Sequence, residues 1–160
     1  MARVSGRTES IVRRMRIASV LVAAAVLVWL AVACDSTVPA PRPIRLGQDV
    51  CAKCRQTIQT LDAAAEAVYT DGRVRVYDDL GCLATDAAAL AGSGQFYVQF
   101  AGGKGWARVD DVHFASPKDR TSPRGYNYFA YTQDEASRID PAGWARGWND
   151  LVAELGRRPR

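Results

Sequence analysis

The sequence predicts an α+β fold: two consecutive small ββα-type units, about residues 49–101 and 102–158, behind an N-terminal leader. Three observations point there. Strand-like runs close residues 57–70 and fill residues 73–77, 95–101 and 126–131, and turn residues separate them. A helical pattern with its own N-terminal signal follows the first strand pair and the last strand. The second half of the chain repeats this order more loosely than the first.

Residues 1–16 carry Arg3, Arg7, Arg13, Arg14 and Arg16 against Glu9 alone, and residues 17–33 hold no charge. Cys34 follows Ala31-Val32-Ala33 directly. A basic start, an apolar stretch and small residues before the cut form a secretory signal, expected to end at residue 33. The placement of Cys34 resembles a lipobox, in which the cysteine takes a diacylglycerol and becomes the mature N-terminus, although Ala31 stands where Leu is more usual. An uncleaved transmembrane anchor competes, because the apolar stretch falls between a signal and a span of about 20 residues. Both readings leave residues 35–160 outside the cytoplasm, since the arginines stay inside. The expected location is therefore periplasmic or cell-surface. Asp35 after the lipidated cysteine favours inner-membrane retention in a cell with two membranes.

Without the leader the formal charge is balanced. The chain has 21 basic and 17 acidic residues, and residues beyond 33 keep 16 of each. The basicity belongs to the leader, so it argues for no nucleic-acid partner. Both methionines, Met1 and Met15, also lie in the leader.

Residues 34–48 hold the lipidated cysteine and a Pro-rich stretch, expected as an extended tether. Residues 57–70 end in a strand-like run, and Asp71-Gly72 is a hairpin turn. Residues 73–77 alternate as a half-buried strand does. Asp78 or Asp79 then caps a helix to about residue 91, with Leu80, Leu83, Ala87, Leu90 and Ala91 on one face. Residues 95–101 form a strand, ended by Gly102-Gly103. Residues 106–115 hold short extended or helical pieces, and residues 117–125 a polar loop. Residues 126–131 form an aromatic-rich strand. Thr132 and Glu135 form a capping box that opens a short helix. Asp140-Pro141 is read as the start of another helix, with Trp144, Trp148, Leu151 and Leu155 on its core face.

Chemistry concentrates in the cysteines. Lipidation of Cys34 leaves Cys51, Cys54 and Cys82, an odd number for an oxidising compartment. Cys51-Ala-Lys-Cys54 has the spacing that brings two sulfurs onto one ion, and thiolates suit Cu(I) or Zn(II). The same pair reads equally well as a small disulfide, and less well as a redox couple, since no thioredoxin-like sequence surrounds it and no helix clearly starts after Cys54. Cys82 falls in the first turn of a helix, where the dipole favours thiolate. The acids before it oppose that, so the sign of the shift is open. Read alone, Cys82 is also an ordinary buried small residue. His113, the lone histidine, would complete a three-Cys, one-His zinc site, and would otherwise pack structurally. Asp78 and Asp79 point to opposite faces of a strand, which reads as capping rather than shared acid–base work. No catalytic set is read, so the chain is expected not to be an enzyme.

Over about residues 34–155 the chain resembles a divergent member of the NosL-like lipoproteins, accessory proteins of nitrous oxide reductase. The ordered series carries the resemblance: the lipoprotein cysteine, residues 51–58 (CAKCRQTI), residues 78–82 (DDLGC), residues 106–115 (WARVDDVHFA), residues 122–126 (SPRGY), and a strand with Phe129-Ala130 before a helix. It implies two ββα-type units and a Cu(I) carrier that serves a copper-accepting enzyme outside the cytoplasm. It implies copper residues at Cys54 and Cys51, and it matches Cys82 to a family position. The family's C-x-x-C-G-M has Arg55 and Gln56 here in place of Gly and Met, and its P-M-G has Arg124 in place of Met. Two further readings stand beside the carrier: a disulfide-stabilised, partner-binding lipoprotein without metal, and a thiol–disulfide oxidoreductase.

Overall fold

The computed structural model describes residues 40–90, 92, 94–141 and 146–157 of the chain. The leader, Cys34, Ala91 and Trp144 lie outside the described residues. Among those described, no helix is long and apolar enough to cross a membrane.

Strand β1 (Ala65–Tyr69) is buried at every position. It lies between β2 (Val74–Tyr77) and β3 (Gly94–Gln99), and β4 (Trp106–Arg108) pairs with β3. The sheet order is β2-β1-β3-β4, antiparallel throughout. The β1–β2 hairpin turns at Asp71-Gly72, where Gly72 takes φ 84° and donates its N–H to the Tyr69 carbonyl. Strand alternation divides β1: Ala65, Ala67 and Tyr69 enter the main core, and Glu66 and Val68 face the other way.

Helix α1 (Leu80–Leu90) crosses from β2 to β3. Its expected apolar face is present, with Leu80, Leu83, Ala87 and Leu90 all buried. Gly94 opens β3 because nothing larger fits: a Cβ there would lie 2.0 Å from the Val68 carbonyl oxygen.

After β4 comes a short 3-10 turn (Val109–Asp111), then β5 (His113–Ala115) and β6 (Phe129–Tyr131), which pair with each other. A bridge between Phe100 and Ala130 joins this pair to the end of β3. Helix α2 (Gln133–Ile139) begins at the expected capping box, with Thr132 and Glu135 exchanging both hydrogen bonds. Helix α3 (Trp148–Gly156) packs against α1. It buries Trp148, Leu151 and Leu155 as expected, and Trp148 lies 5.8 Å from Phe96 and 5.9 Å from Phe114, centroid to centroid.

The structure therefore confirms the α+β class and differs in four details. The order hairpin-then-helix does occur twice, as β1-β2-α1 and β5-β6-α2. However, β3 and β4 stand between, and their pairing carries the first sheet across the division expected after residue 101.

The strand expected over residues 126–131 shortens to β6, because Asn127 takes φ 61°. Its side chain accepts from the Ser122 N–H while its own N–H donates to Ser122 Oγ.

Asp140 closes α2 instead of opening a helix: its N–H donates to the Ala136 carbonyl, and α3 starts only after Gly147. The Asp-Pro pair carries a cap signal, but here that residue is already used as the end of the preceding helix.

The segment expected as a free tether is held from Arg42 onward. The Arg42 N–H donates to Glu66, and its guanidinium donates to Asp49 at 2.6 Å. Asp49 also accepts the Arg45 N–H at 2.8 Å. These anchors are polar, so apolar periodicity does not reveal them.

Candidate metal centre

Three pieces of chain converge at one end of the sheet. The first is the loop carrying Cys51 and Cys54. A Val50–Thr57 bridge closes it. Inside, the Cys51 N–H donates to the Gln56 carbonyl and the Arg55 N–H to the Cys51 carbonyl. This tight return requires a left-handed residue, and Arg55 takes φ 66°. That is the position where the resembled family has Gly, which adopts this conformation without steric cost. The Ala52 N–H donates to the Val76 carbonyl at 2.8 Å, which fastens the loop to β2.

The second piece is Asp78, immediately after β2. The third is Cys82 in the first turn of α1, where Cys82 N–H donates to the Asp79 carbonyl. Adjacent residues leaving a strand face opposite sides, so Asp78 and Asp79 separate. Asp79 caps the helix by accepting the Gly81 N–H at 2.9 Å. Its other oxygen accepts from Ser122 Oγ at 2.5 Å and the Arg124 N–H at 2.9 Å. This seats the 122–126 loop on the start of α1, with Tyr126 against Gly81. Burial raises the Asp79 carboxyl above its ordinary range, and these donors pull it back.

The donor atoms of Cys51, Cys54, Cys82 and Asp78 all lie within 4.8 Å of one another. Cys51, Cys82 and Asp78 are buried, and Cys54 is half-buried. The three thiols are unbridged. The Cys54 thiol donates to the Asp78 carboxylate, with Sγ 3.3 Å and 3.4 Å from its two oxygens. Lys53 reaches out of the same loop to Asp86 on α1 at 2.9 Å.

The thiols differ in acidity. A hydrogen bond from the Cys82 thiol, helped by the backbone N–H groups of Cys54 and Asp78, lowers Cys51 to about 6 against the cost of burial. Burial raises Cys54 to about 11. Cys82 is raised because its proton is committed to Cys51 and because it is buried near other negative groups. The sign left open by the sequence is therefore upward for Cys82. The site presents three unbridged cysteines and the Asp78 side chain, a set that binds a soft or borderline ion as thiol protons leave.

The structure thus brings Cys51, Cys54 and Cys82 together and adds Asp78, which sequence reading assigned to capping. The signal was present: if Asp79 caps the helix, alternation sends Asp78 to the cysteine side. His113 does not join them. It is half-buried on β5, opposite Tyr131, and outside the converging set. Gln56 and Arg124, at the resembled family's methionine positions, are both exposed.

No family model matches the chain, and no curated protein matches it by sequence. Among solved structures it is similar to the crystal structure of the copper chaperone NosL from Shewanella denitrificans, with a TM-score of 0.52 and 12% identity. The match covers 68% of this chain and 92% of that one. The chain has a NosL-like fold. At this identity the likeness speaks for the fold; the candidate centre stands on its own donor geometry.

Proposed function

We propose that this protein is a membrane-tethered metal carrier outside the cytoplasm that holds Cu(I) on the thiolates of Cys51, Cys54 and Cys82. One observation carries the reading: three thiols from two distant chain segments meet within 4.8 Å. Soft thiolates select a soft ion, and Cu(I) is the softest of the common candidates. The similarity of the fold to a protein titled a copper chaperone supports the same choice.

In this account the Cys51 thiolate receives the ion first. Loss of the Cys54 and Cys82 protons then completes a three-thiolate site, so binding releases protons. Cys54 is the half-buried ligand of the set, and in this reading it is the one that meets an acceptor's donor atoms. Handover proceeds by exchange of ligands, with no covalent change in the carrier. Residues 1–33 export the chain, Cys34 anchors it by a lipid, and the acceptor is a copper enzyme outside the cytoplasm such as nitrous oxide reductase.

The test is thiol protection in the full chain, reduced and anaerobic in mild detergent. Cu(I) is expected to shield Cys51, Cys54 and Cys82 together from alkylation. Shielding of Cys82 that persists after Cys51→Ser and Cys54→Ser are combined would contradict a shared site.

A further inference from the structure

Asp78 is a carboxylate almost wholly removed from water. Buried carboxylates are ordinarily paired with a cation or placed on a metal. Among the described residues no lysine or arginine forms an ion pair with Asp78, although eight such pairs involve other acids. The neighbouring Asp79 shows the contrast, since both its oxygens are taken by Gly81, Ser122 and Arg124. The side-chain partner of Asp78 is the Cys54 thiol, which faces both its oxygens.

Three sulfurs and one oxygen match a tetrahedral ion. Zn(II) takes thiolate at about 2.3 Å and carboxylate at about 2.0–2.2 Å, which places donors roughly 3.5–3.8 Å apart. The observed set, all within 4.8 Å, reaches that spacing by a small contraction. Cu(I) has little use for a hard oxygen once it holds three thiolates, whereas a divalent ion gains both a donor and a balancing charge.

We propose that Asp78 is the selectivity residue of this centre: its carboxylate is a fourth donor that admits Zn(II), or a divalent ion of like chemistry, beside Cu(I). This rests on the three-thiol site proposed above.

The experiment compares Zn(II) and Cu(I) affinities of the full chain, each against a competing chelator, before and after Asp78→Asn. Zn(II) affinity is expected to fall by about tenfold or more while Cu(I) affinity stays within about threefold. An equal fall for both ions, or no fall for Zn(II), would overturn the proposal. A second variant guards against misfolding of the first. Asp78→Cys loaded with Zn(II) is expected to show four sulfur neighbours at about 2.3 Å by X-ray absorption, and three would overturn the assignment. The two readings fail differently. If the unaltered chain binds Cu(I) but not Zn(II), only the role of Asp78 falls. If it binds neither, the carrier falls as well.

Discussion

The Lys53 ammonium lies 2.9 Å from the Asp86 carboxylate, and this pair joins the loop of Cys51 and Cys54 to the helix of Cys82. Lys53 is 28% exposed and Asp86 18%, so solvent screens the pair less than an open surface bridge. Asp86 also accepts the Tyr77 hydroxyl at 3.2 Å and lies 3.7 Å from Arg75. Burial raises the Tyr77 hydroxyl above its ordinary range, and the charge of Asp86 raises it further.

Lys53→Met is accordingly expected to loosen the centre more than the fold. Metal affinity should drop by about tenfold, as for other groups that orient metal ligands, with about 1 kcal/mol lost in stability. A chelator titration beside a urea melt checks both. A stability loss with unchanged affinity would make the pair purely structural.

Arg55 holds a left-handed conformation at φ 66°, which costs a side-chain-bearing residue about 1–2 kcal/mol. Arg55→Gly should recover about 1 kcal/mol after glycine's larger unfolded entropy is counted. The urea midpoint should rise with an unchanged slope.

Gly81 is required by Tyr126. A Cβ at residue 81 would sit 2.1 Å from Tyr126 Cγ, so Gly81→Ala must push the ring off α1. The expected loss is about 1–3 kcal/mol. In a Tyr126→Ala background the same change should cost much less, and a double-mutant cycle measures that coupling.

Glu66 makes stability depend on pH. Burial pushes its carboxyl from 4.5 up to about 7, against the pull of the Arg42 N–H and charge. The folded chain therefore holds this proton more tightly than the unfolded chain. That contribution is complete below about 4.5 and fades as pH rises through about 7. Asp49 acts in the opposite sense: Arg42 lowers it from 3.8 to about 2, so its contribution is complete above about 3.8 and is lost as pH falls from there through about 2, below the Glu66 window. Urea unfolding is expected to show a decline of up to about 3 kcal/mol across the Glu66 window. Glu66→Gln should flatten it.

The local signals in the sequence translated well. Asp71-Gly72, the Thr132–Glu135 capping box and the apolar faces of α1 and α3 each depend on neighbours a few residues apart, and each is present. The features that were not legible depend on distant partners. Asp140 carries a start signal but is consumed as the end of α2. Residues from Arg42 look like free tether because their anchors, Glu66 and Asp49, are polar groups buried by tertiary structure. At the centre, the C-x-x-C spacing announced itself, but the approach of Cys82 and Asp78 comes from the path of β2 into α1. His113 looked eligible as the lone imidazole, yet its strand faces Tyr131 instead.

The proposed carrier role requires that Cys51, Cys54 and Cys82 form one soft-metal site. Anaerobic titration of Cu(I) into the reduced full chain, against a chelator of known affinity, tests it most directly. One Cu(I) per chain is expected, bound tightly and weakened sharply by Cys51→Ser, Cys54→Ser or Cys82→Ser alone. Failure to compete with the chelator, or binding indifferent to Cys82→Ser, would contradict it.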